Sequence, residues 1–224
     1  MIEEKPNALF QWGFAWTSRV LAYRKFSKVV FDSTSPIDFS STLWKDPRPI
    51  FFYSTHESFW DPILAADISV LRCKRRCVAP MAAEQLRKFK SLKRVGIFGV
   101  EDGAATAAKE FIDSHIAQSV RPAVWVTPQG CFVPDSTKQP TFKTGLSYWS
   151  LSRDCIRIPV AICYSSDLSP LVSVRLGSPE DVVGRSLEYL KDKLELEKDA
   201  GRLRVQLESV VRDLKASRSF EKLI

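Results

Sequence analysis

The sequence predicts an α/β domain, a central mixed sheet flanked by helices, with an N-terminal amphipathic helix and a C-terminal helical extension. Three observations carry this. Short apolar runs alternate with longer stretches of helical periodicity, the pattern of strands interleaved with helices. The strand runs are apolar enough to be buried. The 224 residues, 45% of them hydrophobic, suffice for a sizeable core and exclude a chain disordered throughout.

Taken in order, residues 6–31 read as an amphipathic helix, with Phe10, Phe14 and Leu21 at near-helical spacing and Trp12, Trp16, Val20 and Tyr23 beside them. Arg19, Arg24, Lys25 and Lys28 sit in its second half. Such a helix fits a membrane interface or a packed position with solvated bases, and both readings stand. Residues 32–49 read as a loop. Ile50–Tyr53 is a strand, Pro62–Val70 a helix, Arg76–Ala79 a strand, and Ala82–Leu92 a helix with Leu86 and Phe89 on one face. Val95–Val100 is a strand, Ala104–Val120 an alanine-rich helix, and Ala123–Thr127 a strand. A loop over 128–144 contains Pro128, Gly130, Pro134 and Pro140. Gly145–Arg153 is helical, and Ile156–Cys163 and Leu171–Leu176 are strands. Pro159 inside an apolar run predicts an edge, an irregularity or a bulge. From Pro179 onward, Val183, Leu187, Leu190 and Leu194, then Leu203, Leu207, Val210 and Leu214, form a stripe interrupted near Gly201. It predicts two amphipathic helices, or one broken at Gly201, docked on the domain in preference to dimerising or facing a membrane. The division is thus 1–35, a possible membrane-docking helix; 36–178, the α/β domain; and 179–224, the helical extension.

The net charge of +7 points to an anionic partner. Nucleic acid is not expected, since no binding motif is present and the bases are scattered among acids. Arg72, Lys74, Arg75 and Arg76 read as a solvated basic patch, or one that meets anionic lipid, coenzyme phosphates or an acidic carrier protein. Cys73, Cys77, Cys131, Cys155 and Cys163 are an odd, sparse set, as in reduced thiols, and with two histidines they predict no metal site. The start, Met-Ile-Glu-Glu-Lys, does not read as a signal peptide, and the apolar stretch Pro6–Ser18 is too short to cross a bilayer.

The candidate chemistry begins at Thr55-His56-Glu57-Ser58-Phe59-Trp60-Asp61-Pro62, between a strand and a helix. Five positions apart across this turn, His56 and Asp61 can face each other. Asp61 would hold the imidazole in one tautomer, and His56 would take the proton of a hydroxyl attacking an activated acyl thioester. Alternatively Ser58 or Asp61 caps the helix, with Pro62 at its first position. Other matches follow in order. Gly96-Ile97-Phe98 lies in a strand ending at Glu101-Asp102-Gly103. Pro128-Gln129-Gly130 ends another. Phe142-Lys143-Thr144-Gly145 precedes a helix, and Ile158-Pro159-Val160 opens a strand.

These motifs, in this order over about residues 45–165, resemble the glycerolipid acyltransferase superfamily, whose type members acylate glycerol 3-phosphate or lysophosphatidic acid. His56 and Asp61 match its His-x4-Asp block and Ser58 the frequent serine within it. Pro128 and Gly130 match its Pro-Glu-Gly block, and Phe142, Lys143 and Gly145 its Phe-Lys-x-Gly. The resemblance implies a sheet flanked by helices and a membrane-associated site on the cytoplasmic side, peripheral to the bilayer. It also implies acyl-CoA or acyl-carrier protein as co-substrate, a lipid acceptor and no other cofactor.

The departures bear on the acceptor. Glu101 and Asp102 stand where the family has an arginine thought to meet the acceptor phosphate. Gln129 replaces a glutamate, and Cys131-Phe132 replaces Thr-Arg. Without an arginine fork, glycerol 3-phosphate is a poor expectation, and Gln129 with Glu101 and Asp102 suits a neutral polyol. The Pro-Gln-Gly variant resembles a subgroup acting on glycosylated lipids such as carotenoid glycosides. Gln129 and Lys143 are expected to position the acceptor or the donor phosphates, backbone N–H groups near Gly130 to hold the oxyanion, and Phe59, Trp60 and Phe132 to border the acyl chain. Cys131 as a nucleophile is a lesser candidate, and His115 is expected at the surface or a helix end. The rival functions are a lipid-binding protein without catalysis and an acyl thioesterase using water.

Overall fold

The computed structural model describes residues 6–101, 103–132, 141–165 and 170–221, the last four of these in backbone only. Asp102, Pro134 and Pro140, singled out above, lie outside the described residues.

Among the described residues, eight strands form one mixed sheet: β1 Lys28–Phe31, β2 Ile50–Ser54, β3 Arg76–Ala82, β4 Ile97–Val100, β5 Pro122–Val126, β6 Cys155–Tyr164, β7 Leu171–Leu176 and β8 Glu180–Val182. Their order is β1-β7-β6-β2-β5-β3-β4, and β8 pairs with the start of β6. β2 pairs in parallel with both β5 and β6, and β3 in parallel with β5 and β4. β7 runs antiparallel to β6, which makes the sheet mixed. Every residue of β2 and β5 is buried. Their apolar runs are therefore continuous, as in strands covered on both faces.

Alternation along β2 divides the core. Ile50 and Phe52 point to one face with Trp125, Ile156 and Ile158. Phe51 and Tyr53 point to the other with Val124 and Val126. The first face is covered by α1 Ala8–Lys25 and α2 Asp61–Ala66, which continues as a wider π turn over Asp67–Arg72. The second is covered by α4 Ala105–Gln118, α5 Gly145–Leu151 and α7 Lys193–Glu221. Two short helices complete the set, α3 Ala83–Lys88 after β3 and α6 Leu187–Lys191 before α7.

Several expectations change. The first helix ends at Lys25, and Val29-Val30-Phe31 leaves it to form β1 in parallel with β7. The β-branched pair favours the strand once β7 offers an edge. The loop over 32–49 holds a 3₁₀ turn at Thr42–Lys45 that buries Trp44. Only Leu86 of the Leu86/Phe89 pair is buried, because the helix stops at Lys88 and Phe89 turns outward. Glu180–Val182 was read as the start of the helical extension and is a strand. It and β1 lie outside the 36–178 span assigned to the sheet.

The helix does not break at Gly201. The interruption falls at Asp192, whose carboxylate accepts the Leu194 and Glu195 N–H groups at the start of α7. A glycine inside a packed helix costs about 1 kcal/mol, too little to break one anchored elsewhere. The stripe is also shifted. Val183, Leu187 and Leu194 are exposed, whereas Leu190, Leu196, Ala200, Leu203, Leu207, Val210 and Leu214 are buried against the sheet. Polar contacts add to this docking. The Tyr53 hydroxyl donates to Gln206 Oε1 (2.8 Å), and the fully buried Arg157 donates to Asp199 Oδ1 (3.0 Å) and Ser150 Oγ (2.8 Å).

Pro159 sits in a central strand, at the point where β7 gives way to β8 on the same edge of β6. The Gly177 N–H donates to the Pro159 carbonyl (2.8 Å). The missing proline N–H faces that same changeover, where no ladder bond is lost. A Cβ on Gly177 would stand 2.6 Å from both Pro159 Cγ and Val210 Cγ2, so this turn has no room for a side chain.

Because α7 is held by Leu207 and not by Leu194, the Leu207→Ala protein should lose about 2–5 kcal/mol of stability. Leu194→Ala should lose less than about 0.5 kcal/mol. Urea melts of the two variants against wild type measure both, and equal losses would refute the docked face.

Candidate functional site

The parallel strands end on one edge of the sheet, and the loops that leave them there meet. β2 ends at Ser54 and delivers His56, β5 ends at Val126 and delivers Gln129, and β6 runs past both to Tyr164. Open α/β sheets bind ligands outside such carboxyl ends, where loops alone close the surface.

His56 and Asp61 are together. His56 Nδ1 lies 3.0 Å from Asp61 Oδ2. The same oxygen accepts the backbone N–H groups of Glu57 and Ser58, each at 2.8 Å, and Oδ1 accepts the Tyr164 hydroxyl at 2.5 Å. Asp61 is 2% exposed. It thus acts as an acceptor throughout, and the tautomer assigned to His56 places the proton on Nδ1 and a free lone pair on Nε2. Neither Asp61 nor Ser58 caps the helix: Trp60 holds the cap position without a side-chain bond, Asp61 is the first helical residue with its bonds running back to the preceding loop, and Pro62 is the second. Ser58 Oγ accepts the Trp60 N–H (3.2 Å) and shapes the same turn. Burial, and then the nearby Asp61 charge, push the Tyr164 phenol far above its ordinary range and keep it a donor. Burial likewise raises the carboxyl of Glu57.

Gln129 is buried, and its Oε1 accepts the His56 backbone N–H at 2.7 Å. The amide oxygen is therefore committed to the histidine loop. A carboxylate oxygen could accept this N–H as well as the amide oxygen does, so a glutamine here in place of a glutamate gives no ground for a neutral acceptor substrate. Among the backbone N–H groups near Gly130, its own donates to the Thr127 carbonyl (3.0 Å) and closes the turn. Gly130 has φ of 68°, and a Cβ there would lie 2.8 Å from Lys143 Cδ and Cε. Glycine is thus favoured by the left-handed backbone, while the flexible end of the Lys143 side chain lies over it.

Glu101 stands apart. It follows β4, three strands from β2, or about 14 Å at the usual strand spacing. It pairs with Arg87 at the surface (3.1 Å), which offsets its charge. Phe132 instead reaches the site, its ring edge-on to the His56 imidazole with centroids 5.3 Å apart. Phe59 is 75% exposed, and Cys131 is exposed too.

The expected basic patch is dismantled. Arg75 is 1% exposed and donates to the carbonyls of Leu43, Asp46, Arg48 and Pro122. Burial lowers its pKa to about 10. Arg72 donates to Asp67 (2.7 Å) and lies over the Phe31 ring. Lys74 stays exposed. His115, expected at the surface or a helix end, lies in the last turn of α4 but is buried there, with Nε2 3.0 Å from the Arg76 carbonyl, and burial lowers its pKa to about 4. Tyr164 went unnoticed in the sequence. Its one legible sign is a tyrosine at the carboxyl end of an apolar strand run.

With this geometry established, solved structures offer a comparison. The chain is similar to the crystal structure of the 1-acyl-sn-glycerophosphate (LPA) acyltransferase PlsC from Thermotoga maritima, with a TM-score of 0.59 and 17% identity over 93% of this chain and 79% of that one. The likeness is one of fold. No family model and no curated protein sequence matches the chain. An α/β architecture with a central mixed sheet between helices is thus common to both, as the sequence predicted.

In Gln129→Ala, the His56 N–H loses its acceptor. Hydrogen exchange should show the His56 amide deprotected by about tenfold or more, for the loss of a bond worth about 1–3 kcal/mol when its partner is left unpaired. Unchanged protection would show that Gln129 does not hold the loop.

Proposed function

We propose that this chain is a membrane-associated O-acyltransferase. It moves a fatty acyl group from acyl-CoA or acyl-carrier protein to a hydroxyl of a lipid, with His56 as general base and Asp61 as its orienting partner. The observation that carries the reading is the 3.0 Å contact from His56 Nδ1 to Asp61 Oδ2, which leaves Nε2 facing away from the carboxylate. It lies at the carboxyl edge of a fold shared with a lipid acyltransferase.

The acceptor hydroxyl hydrogen-bonds to Nε2 and attacks the thioester carbonyl as its proton passes to the imidazole. Asp61 stabilises the imidazolium. Collapse of the tetrahedral intermediate expels the thiolate, which takes the proton from Nε2 and leaves His56 neutral. No covalent enzyme intermediate is needed. Ser58 shapes the turn, and Lys143 over Gly130 supplies a cation beside it for the phosphates of donor or acceptor.

The acceptor in this reading is a lysophospholipid-like or a glycosylated or hydroxylated lipid. Phe132 favours the neutral kinds. It presents an apolar edge to His56 where the family carries an arginine, and no guanidinium fork meets a phosphate there.

Helix α1 supports the membrane. It packs by its small and polar residues: Gln11, Ala15, Ser18 and Ala22 are buried, while Leu9, Phe10, Trp12, Trp16, Val20, Leu21 and Tyr23 are exposed. This is the reverse of an ordinary surface helix. Exposed Arg24, Lys25 and Lys28 follow at its end, as on helices that lie in a headgroup layer. Among the described residues no helix is long and apolar enough to cross a membrane. Phe26, the residue after α1, packs on Trp60 and Tyr164 (centroids 5.4 and 5.8 Å), so the docking helix ends beside the site.

Acyl transfer is measured from a labelled acyl thioester in mixed vesicles, offering lysophosphatidic acid, a neutral lysolipid and a lipid glycoside. Wild type should transfer, His56→Ala should fall by about 10²-fold or more, and the neutral acceptors should be preferred. Release of free fatty acid at a rate no acceptor changes would indicate a thioesterase instead. Separately, the Trp12→Glu/Trp16→Glu protein should bind vesicles at least about tenfold more weakly, given the apolar area removed, with an unchanged melting temperature. Undiminished vesicle binding would remove α1 from the interface.

A further inference from the structure

We infer that Tyr164 is a positioning residue for the His56–Asp61 pair. By donating its phenol O–H to Asp61 Oδ1, it fixes the carboxylate so that Oδ2 faces the imidazole, and it draws off part of the charge that His56 would otherwise meet. The inference rests on the reading of His56 as the base.

The geometry is particular. β6 is longer than its parallel neighbour. Ser54, the last residue of β2, pairs with Val160, and β6 continues to Tyr164. The extension carries the phenol beneath the turn after β2, 2.5 Å from Oδ1, from a residue far along the chain. The other bonds named for Asp61, from His56, Glu57 and Ser58, all run to Oδ2 and all come from its own turn. Tyr164 therefore ties that turn to the sheet. Its ring is held from behind by Phe26, which also packs on Trp60, so it has a fixed direction of approach.

A donor on Oδ1 competes with the imidazole for the carboxylate charge. Its removal leaves Asp61 a stronger partner for the imidazolium, and the ring holds its proton more tightly. The charged and titratable groups beside the pair, among the described residues, include Glu57, Lys215, Arg19 and Arg72. Glu57 lies on the same turn, Lys215 of α7 acts on Glu57, and Arg19 and Arg72 are both bound to Asp67, beyond the end of α2. None of these changes when Tyr164 loses only its hydroxyl.

The test is Tyr164→Phe in the full chain. The two histidine rings are followed by NMR through a pH titration, and kcat and KM are measured across the same range. His115, buried on the far face, is the internal control. The His56 midpoint should move up by about half a pH unit, and the acid limb of kcat/KM should move with it. In addition, kcat should fall by about tenfold with KM little changed, and His115 should not shift. Replacing Tyr164 by 3,5-difluorotyrosine, a stronger donor of similar shape that preserves the packing, should move the His56 midpoint the opposite way. An unmoved His56 titration in both proteins would overturn the inference and leave Tyr164 a packing residue. A shifted titration in a chain that transfers no acyl group would instead refute the reading of His56 as a catalytic base and keep the positioning role.

Discussion

A carboxylate taken out of water must be given hydrogen bonds, and Asp61 is given them from three directions. The imidazole reaches it across the turn, two backbone N–H groups reach it along the turn, and a phenol reaches it from the neighbouring strand. Each donor fixes something else. The backbone pair sets the path of the loop after β2, the imidazole contact sets the tautomer, and the phenol requires β6 to run on beyond β2. The surrounding structure satisfies this one buried charge, and the disposition of the site follows from it. Gln129 completes the arrangement by holding the His56 backbone from the end of β5. Three adjacent parallel strands thus converge on the turn that carries His56 and Asp61.

The support continues through the sheet to its far face. Tyr53, directly before the turn in β2, donates to Gln206 of α7, and Arg157 in β6 is neutralised by Asp199 of the same helix. Burying a guanidinium is unfavourable unless it is paired, and losing α7 would leave Arg157 only the more distant Glu180 of β8, at 3.9 Å. The C-terminal helix therefore braces the two strands that carry the site. On the opposite face the logic is inverted. Helix α1 fully buries only small and polar residues and turns Phe10, Trp12, Trp16 and Tyr23 outward, with Phe14 half-buried. In a monomer surrounded by water that arrangement exposes apolar area to no benefit, whereas in a headgroup layer the same residues are buried.

How far the sequence reveals this depends on the range of each interaction. The strands β2, β5 and β6 were legible because burial on both faces writes an uninterrupted apolar run. The facing of His56 and Asp61 was legible because it spans one turn. β1 and β8 were not, since each is short and becomes a strand only when β7 or β6 offers an edge. The break expected at Gly201 failed for a related reason, because packing along the rest of α7 outweighs a single residue's propensity. Arg75 looked solvated because its neighbours in sequence are bases; four carbonyls from distant segments made it a core residue.

The same distinction governs how the departures from the family pattern should be weighed. A glutamine in place of a glutamate looks like a change in what the site binds as long as its side chain is imagined pointing at substrate. Its oxygen in fact points at the His56 backbone, a contact that an amide and a carboxylate make equally well, so the exchange is silent about the acceptor. Glu101, too, is discounted, being balanced by Arg87 and three strands away. Phe132 is different, because it lies against the imidazole itself. An aromatic edge excludes water from that side of the ring and offers no hydrogen bond to a phosphate oxygen. The case for a neutral lipid hydroxyl therefore rests on one ring beside one histidine.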